Sequence, residues 1–145
     1  MTATLKKLIA LVVDDNEYTL RLMRAMLRAA GVENIRVASN PETALKDLGR
    51  LCPDVIFVDW SMEPFDGCTF VRRVRGSADL RLRSVPILMV TGHAENERIS
   101  EAMAAGVTDY LVKPVSPKVV ETRLLAALRN SRPPTEATQS KPAEA

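Results

Sequence analysis

LIALVVDD, at residues 8–15, is the stretch that decides the fold, because six apolar residues in a row end at two acids. Three later runs have the same form: VIFV ends at Asp59, PILMV at Thr91 and YLV at Lys113. Segments with helical spacing separate the runs, so each run is predicted to be a strand of a parallel sheet buried on both faces. The carboxyl ends of such strands share one edge, where open α/β sheets bind ligands. The sequence therefore predicts that three acids, a hydroxyl and an ammonium group converge there.

Strand and helix patterns alternate five times along the chain, which predicts a parallel sheet with helices on both faces. IRVAS, at residues 35–39, is the predicted second strand. Five helices are predicted to begin after Asp15, at Pro41, after Asp66, near Glu95 and at Ser116. In the fourth helix, Ile99 and Met103 have the spacing of core-facing residues, so both are predicted to be buried.

The composition predicts one globular domain. The chain has 145 residues, 46% of them hydrophobic and 26% charged, and no apolar stretch approaches the ~20 residues that a membrane helix needs. The apolar run near the N-terminus is too short for a secretory signal and ends in acids, so we expect a cytoplasmic protein that does not bind membranes. Residues 131–145 contain three prolines and no large apolar side chain. We therefore predict a domain over residues 1–130 and a disordered tail over 131–145.

The charge pattern gives little support for nucleic-acid binding. The formal net charge is only +2. The segment RRVRGSADLRLR at residues 72–83 has five arginines and one aspartate, but no aromatic residue is interleaved with them. We expect a solvated surface there and no nucleic-acid partner.

The acids predict a metal site. Asp14 and Asp15 end the first strand, and Asp59 ends the strand expected beside it. Three crowded carboxylates repel one another, and either a bound cation or a raised pKa relieves that repulsion. Oxygen ligands favour hard cations, and Mg²⁺ binds through one or two carboxylates together with water and phosphate. Each aspartate alone could simply cap the next helix. The three acids together with Thr91 and Lys113 favour a Mg²⁺ site.

The order of these residues resembles the receiver domain of two-component response regulators, the CheY-like family. The matching features are an acidic pair after strand one, a lone aspartate after strand three, a threonine after strand four and Lys-Pro after strand five. The resemblance covers roughly residues 6–130. It implies a flavodoxin-like, doubly wound α/β fold, with a five-stranded parallel sheet in the order 2-1-3-4-5 and five helices.

The resemblance also implies roles for the site residues. Asp59 would accept a phosphoryl group from a histidine kinase or a histidine phosphotransfer protein, while Thr91 and Lys113 would contact the phosphoryl oxygens. Asp15 would bind Mg²⁺ directly and Asp14 mainly through water. The metal ligands implied in the protein are the side chains of Asp14, Asp15 and Asp59 and the backbone carbonyl of Ser61.

Further positions follow from the same resemblance. Lys113-Pro114 would be a cis peptide bond, a form found almost only before proline. Tyr110 would be an aromatic switch residue coupled to Thr91, and a downstream protein would bind the face formed by helix 4, strand 5 and helix 5. Ser61 and His93 occupy the positions that flank the path of the attacking water.

The sequence departs from the commonest receiver pattern in one loop. Proline usually stands four residues after the phosphoacceptor, whereas here Glu63 has that place and Pro64 follows it. The expected protein is a single-domain response regulator, a monomer or weak dimer that signals through protein contacts. It would not be an enzyme beyond self-phosphorylation and slow autodephosphorylation.

Two other classes of protein remain as alternatives. A small phosphatase of the haloacid-dehalogenase type would use Asp14 as its nucleophile, but that class needs an acid two residues later, where this chain has Asn16. A pure binding module would instead use the arginines of residues 72–83. Turnover of a phosphomonoester would favour the first alternative, and salt-dependent retention by DNA would favour the second.

Overall fold

A computed structural model describes residues 5–92 and 96–130, and within these ranges the chain forms one five-stranded parallel sheet in the order β2-β1-β3-β4-β5. The strands are β1 (Ile9–Val13), β2 (Asn34–Ala38), β3 (Val55–Asp59), β4 (Ile87–Thr91) and β5 (Asp109–Val112). The predicted strand order is therefore confirmed. The predicted disordered tail at 131–145 lies outside the described residues.

Five helices of nine residues or more connect or follow the strands. They are α1 (Glu17–Ala30), α2 (Pro41–Leu51), α3 (Gly67–Arg75), α4 (Asn96–Ala105) and α5 (Pro117–Asn130). A sixth, single-turn helix at Leu80–Arg83 precedes β4 and was not predicted, because four residues are too few to show a helical period. No helix in the described ranges is long and apolar enough to cross a membrane.

Asparagine and aspartate side chains cap the first three helices. The Asn16 side chain accepts a hydrogen bond from the Thr19 amide at 3.1 Å, and the Asp66 side chain accepts one from the Thr69 amide at 2.9 Å. Asn40 caps α2 in the same way. Because each cap satisfies amides that the helix leaves free, it fixes the residue at which the helix begins.

The helices cover the sheet on both faces. Alternate residues of β1 point to opposite sides, so Leu11 and Val13 belong to the core beneath α2, α3 and α4. Ala10 and Val12 belong to the core beneath α1 and α5. Every residue of β3 and β4 is buried, as the uninterrupted apolar runs predict for central parallel strands.

The prediction for the buried side of α4 was wrong in part. Met103 is 48% exposed and Ile99 is only partly buried, while Ala102 and Ala105 are buried. Ile99 with Met103 and Ala102 with Ala105 both have helical spacing, but the prediction assigned the larger side chains to the core. Alanines occupy that position instead, where α4 packs beside α3.

One arginine of the segment at residues 72–83 is not part of the expected solvated surface. The Arg75 guanidinium donates hydrogen bonds to the carbonyls of Gly106 at 2.8 Å, Val85 at 2.7 Å and Arg83 at 3.0 Å. It thus ties the end of α3 to the end of α4 and to the start of β4. The other four arginines of the segment are exposed, as predicted.

Candidate functional site

The carboxyl edge of the sheet brings three acids together. One carboxylate oxygen from each of Asp14, Asp15 and Asp59 lies within 4.8 Å of the others. Asp14 and Asp59 are buried, with exposures of 2% and 7%, whereas Asp15 is exposed. The predicted convergence of these acids is present, and the cluster reaches solvent on the Asp15 side.

Lys113 extends from the end of β5 into the acidic cluster. Its Nζ lies 2.9 Å from Oδ1 of Asp59 and 3.9 Å from Oδ2 of Asp14. β4 lies between β5 and β3 in the sheet, so this ion pair reaches across the end of β4. Three carboxylates and one ammonium leave a formal charge of −2 (−3 + 1) when all are ionised. Such a site attracts a divalent cation.

The buried acid Asp14 has an unusual pKa. Burial raises the pKa of Asp14 from 3.8 to about 6, and the carboxylates of Asp59 and Asp15 add to this rise. The Asn16 amide, which donates a hydrogen bond to Oδ1 of Asp14 at 2.9 Å, lowers the pKa, as does Lys113. Burial, and to a smaller extent repulsion from the other two acids, therefore disfavours the ionised form of Asp14, and a bound cation would favour it.

Asp14→Asn should stabilise the metal-free protein near neutral pH. Because the folded pKa is raised, the folded state binds more protons than the unfolded state between about pH 4 and 6, so stability falls as pH rises through this window. Asparagine does not ionise and keeps an oxygen for the Asn16 amide. We expect a gain in unfolding free energy of up to about 3 kcal/mol at pH 7. Urea unfolding with a chelator at about pH 5 and about pH 7 measures it, and a gain that does not grow with pH would contradict the raised pKa.

Gly67 holds the loop that follows Asp59, and sequence reasoning missed it. Its amide donates a hydrogen bond to the Trp60 carbonyl at 2.7 Å. Its Cα lies so close to the backbone of Asp59 that a side-chain carbon there would overlap with the Asp59 carbonyl oxygen. The first residue of α3 is thereby fixed against the end of β3. The only signal in the sequence is a glycine directly after the capping residue Asp66.

The loop between β3 and α3 carries Ser61 on the surface, two residues beyond Asp59. The peptide bond between Glu63 and Pro64, where the sequence departs from the commonest receiver pattern, is cis. Lys113-Pro114 is also cis, as the resemblance implies.

The remaining predicted residues lie on β4 and β5. Thr91 is buried at the end of β4, and its carbonyl accepts a hydrogen bond from the Lys113 amide at 2.7 Å. Tyr110 is partly buried and packs against the core beneath α2, α3 and α4. The predicted site residue His93 lies outside the described residues.

Arg98 contacts Trp60, the aromatic residue next to Asp59, and sequence reasoning missed this contact too. The guanidinium carbon of Arg98, on α4, lies 4.9 Å from the centre of the Trp60 ring. The guanidinium carbon of Arg73, on α3, lies 4.6 Å from the centre of the Phe65 ring. These cation–π contacts link α3 and α4 to the loop after Asp59. Arg98 and Trp60 are 38 residues apart in sequence (98 − 60), so no local pattern predicts their contact.

A doubly wound sheet with an acidic cluster, a threonine and a lysine at its carboxyl edge is the arrangement of a signalling receiver domain. The response regulator receiver domain family matches residues 10–125, and the chain belongs to this family.

Comparison with individual proteins agrees with this assignment. The chemotaxis protein CheY of Pseudomonas aeruginosa is 38% identical over 114 residues, which are 79% of this chain and 90% of that protein. CheY-3 of Vibrio cholerae is 34% identical over 119 residues, 82% of this chain and 90% of that protein.

Solved structures show the same fold. Vibrio cholerae CheY4, a chemotaxis response regulator, has a TM-score of 0.76 at 30% identity and covers 83% of this chain and 98% of its own. The receiver domain of a sensor histidine kinase from Pseudomonas aeruginosa has a TM-score of 0.76 at 26% identity, over 85% of this chain and 98% of that one. That structure has a magnesium ion coordinated in its active site cleft.

Proposed function

We propose that this protein is a response regulator that accepts a phosphoryl group on Asp59 from a histidine kinase or a histidine phosphotransfer protein. The observation that carries the proposal is the ion pair between Lys113 and Asp59, 2.9 Å long, within the cluster of Asp14, Asp15 and Asp59. The pair places a positive charge where the phosphoryl oxygens would lie and leaves further acids to hold a cation.

The proposed reaction is an in-line displacement at phosphorus. A carboxylate oxygen of Asp59 attacks the phosphorus, the bond between phosphorus and the donor histidine nitrogen breaks, and the nitrogen leaves with the bonding electrons. Lys113 stabilises the negative charge on the phosphoryl oxygens, and the Thr91 hydroxyl donates a hydrogen bond to one of them. Catalysis in such a transfer consists of positioning and electrostatic stabilisation.

The residues of the cluster fit Mg²⁺. All donors are oxygens, as a hard cation requires, and repulsion from Asp59 and Asp15 contributes to the raised pKa of Asp14. We propose Asp15, Asp59 and the carbonyl of Ser61 as direct ligands, with Asp14 acting mainly through water. The ion would neutralise charge on the phosphoryl oxygens as the transfer proceeds.

An apolar groove beside the mouth of the site suits the phosphodonor. It has a volume of about 400 Å³ and lies between α1 and the segment after β5. Tyr18 and Leu22 on α1 are 67% and 41% exposed, and Pro114 and Val115 line the opposite side. Lys113, which pairs with Asp59, lines the same groove, so we propose that a protein bringing a phosphohistidine to Asp59 contacts this surface. Exposed apolar side chains of this kind favour protein contact.

A phosphorylation assay tests the proposed function. With Mg²⁺ and a small phosphodonor such as acetyl phosphate, intact-mass measurement should show one added phosphoryl group per chain, which hydroxylamine removes. Steady release of phosphate from a phosphomonoester, without a labelled protein, would instead support the phosphatase alternative with Asp14 as nucleophile.

The proposed output surface is the face formed by α4, β5 and α5. It carries three exposed apolar residues, Met103, Val112 and Val119, one on each element. Tyr110 lies on β5, two residues before Val112, and is only partly buried. We propose that movement of Thr91 toward a phosphoryl group on Asp59 opens space for Tyr110 to turn inward. A downstream protein would recognise the altered face.

Thr91→Ala should separate phosphorylation from this response. The variant keeps Asp59, Lys113 and the acidic cluster, so it should still accept phosphate. It lacks the hydroxyl that responds to the phosphoryl group, so most shift changes at Tyr110 and along α4 should disappear. NMR spectra with beryllofluoride, a phosphoryl mimic, measure the effect. The exposed residue Thr43, on α2, gives the matched control Thr43→Ala, and equal changes at Tyr110 in all three proteins would show that Thr91 is not the relay.

A further inference from the structure

The carboxyl end of α4 is held firmly by hydrogen bonds. The Gly106 amide donates to the carbonyls of Ala102 at 3.2 Å and Met103 at 3.1 Å, and the Arg75 guanidinium donates to the Gly106 carbonyl at 2.8 Å. Gly106 has a φ of 115°, a left-handed conformation that glycine adopts without strain. Hydrogen bonds on both sides of Gly106 therefore fix the point at which α4 ends.

The segment after Gly106 is fixed to the sheet. The Thr108 amide donates to the Ile87 carbonyl at 2.7 Å, and the Ile87 amide donates to the Thr108 hydroxyl at 3.0 Å. Val107 is buried, as are Ala102 and Ala105 on the last turn of α4. This end of the helix cannot move without breaking buried contacts.

The amino-terminal half of α4 is held in a different way. Arg98 and Ile99 are only partly buried, and the two residues that follow them are exposed. Arg98 reaches the loop after Asp59, where its guanidinium carbon lies 4.9 Å from the centre of the Trp60 ring. Among the residues whose side chains the structure describes, no carboxylate lies within ion-pair distance of Arg98. The aromatic ring is therefore its partner there.

Trp60 connects this helix to the site. The indole is buried, and the backbone of Trp60 is hydrogen-bonded on both sides, at 3.2 Å from its amide to β4 and at 2.7 Å from the Gly67 amide to its carbonyl. Its two neighbours in the chain, Asp59 and Ser61, are proposed ligands of Mg²⁺. The contact with Arg98 thus joins α4 to the part of the loop that responds when the site is filled.

We infer that Arg98 is a positioning residue for α4: its contact with Trp60 holds the helix in the resting position, and the helix pivots about Gly106 when the contact opens. A contact made in only one of two conformations stabilises that conformation. Opening moves the first two turns of α4, and with them one edge of the proposed output surface. The inference deepens the proposed function and rests on it, because filling of the site at Asp59 is what opens the contact.

NMR relaxation dispersion of the metal-free protein tests the inference without phosphorylation. It measures the population of a second position at the amides of residues 100–102, with Val107 and Thr108 as the fixed segment. Arg98→Met keeps most of the side-chain stem but removes the cation. It should raise that population about threefold to tenfold, as expected for the loss of one cation–π contact. The amides of Val107 and Thr108 should show no such change, whereas general destabilisation would affect them equally.

Two further variants calibrate this result. Arg98→Lys keeps the charge but lacks the planar guanidinium that stacks on a ring, so it should give an intermediate population. Arg73→Met removes the similar contact between α3 and Phe65 and should leave α4 unchanged. Trp60 is the only tryptophan of the chain, so its fluorescence should change in the Arg98 variants and stay the same in Arg73→Met.

Beryllofluoride relates the second position to the site at Asp59. The shift changes that it causes in the wild type at residues 100–102 define a direction for each amide. The spectrum of free Arg98→Met should lie part of the way along that direction. Failure of beryllofluoride to bind would count against the proposed function, whereas the dispersion measurements test the role of Arg98 by themselves.

Two results would overturn the inference. One is an equal population of the second position in the wild type and Arg98→Met, including its absence from both. The other is dispersion as large at Val107 and Thr108 as at residues 100–102, since the helix would then not pivot at Gly106. Arg98→Lys keeps the test decisive even if Arg98→Met does not fold.

Discussion

Asp59→Asn is expected to reduce labelling by a small phosphodonor to background. The amide has nearly the shape of the carboxylate but is not a nucleophile, and it removes the charge that pairs with Lys113 at 2.9 Å. Intact-mass measurement of the variant with Mg²⁺ and acetyl phosphate gives the result directly. Because the substitution also removes one of three mutually repelling acids, the variant should fold at least as well as the wild type.

Asp54→Asn is the matched control for this loss. Asp54 directly precedes β3, at the opposite end of the strand from Asp59, where its Oδ2 accepts a hydrogen bond from the Ile9 amide at 2.8 Å. Asparagine keeps an oxygen for that bond, so labelling should be unchanged. Full labelling of Asp59→Asn would refute the assignment of the phosphoacceptor and would make Asp14 the leading candidate nucleophile.

Gly67→Ala is expected to destabilise the protein by about 2–4 kcal/mol, a cost typical of overpacking at a rigid site. The added methyl carbon would overlap with the Asp59 carbonyl oxygen and lie 3.1 Å from the terminal carbon of Met89. The Asp59 backbone pairs with Val90 in the sheet and cannot retreat without breaking that pairing. Urea unfolding measures the change in free energy. Labelling at Asp59 should also slow, because the loop that carries Ser61 must shift.

Gly49→Ala provides the comparison within the same chain. Gly49 lies in α2, and nothing stands within 4 Å of the place where its side-chain carbon would be. Alanine should stabilise that helix by about 0.5–1 kcal/mol. A change below about 0.5 kcal/mol in Gly67→Ala would contradict the close contact with Asp59.

The sequence by itself determined the class of fold and the membership of the site. Strands β1, β3 and β4 are buried on both faces, so their residues must be apolar throughout and the strands are visible as uninterrupted runs. Parallel strands end at one edge, so the residues that end those runs had to meet. That is why Asp14, Asp59, Thr91 and Lys113 could be assigned to one site without coordinates.

Only the tertiary structure decided how those groups act on one another. The pKa of Asp14 depends on burial and on Asp59, 45 residues away, and the ion pair of Lys113 joins strands that are separated in the chain. Gly67 matters because of the backbone it touches, and α4 turns its alanines inward although Met103 has an equally suitable spacing. Local periodicity records which way a side chain points along its own element, whereas distance and desolvation arise only when separate elements pack together.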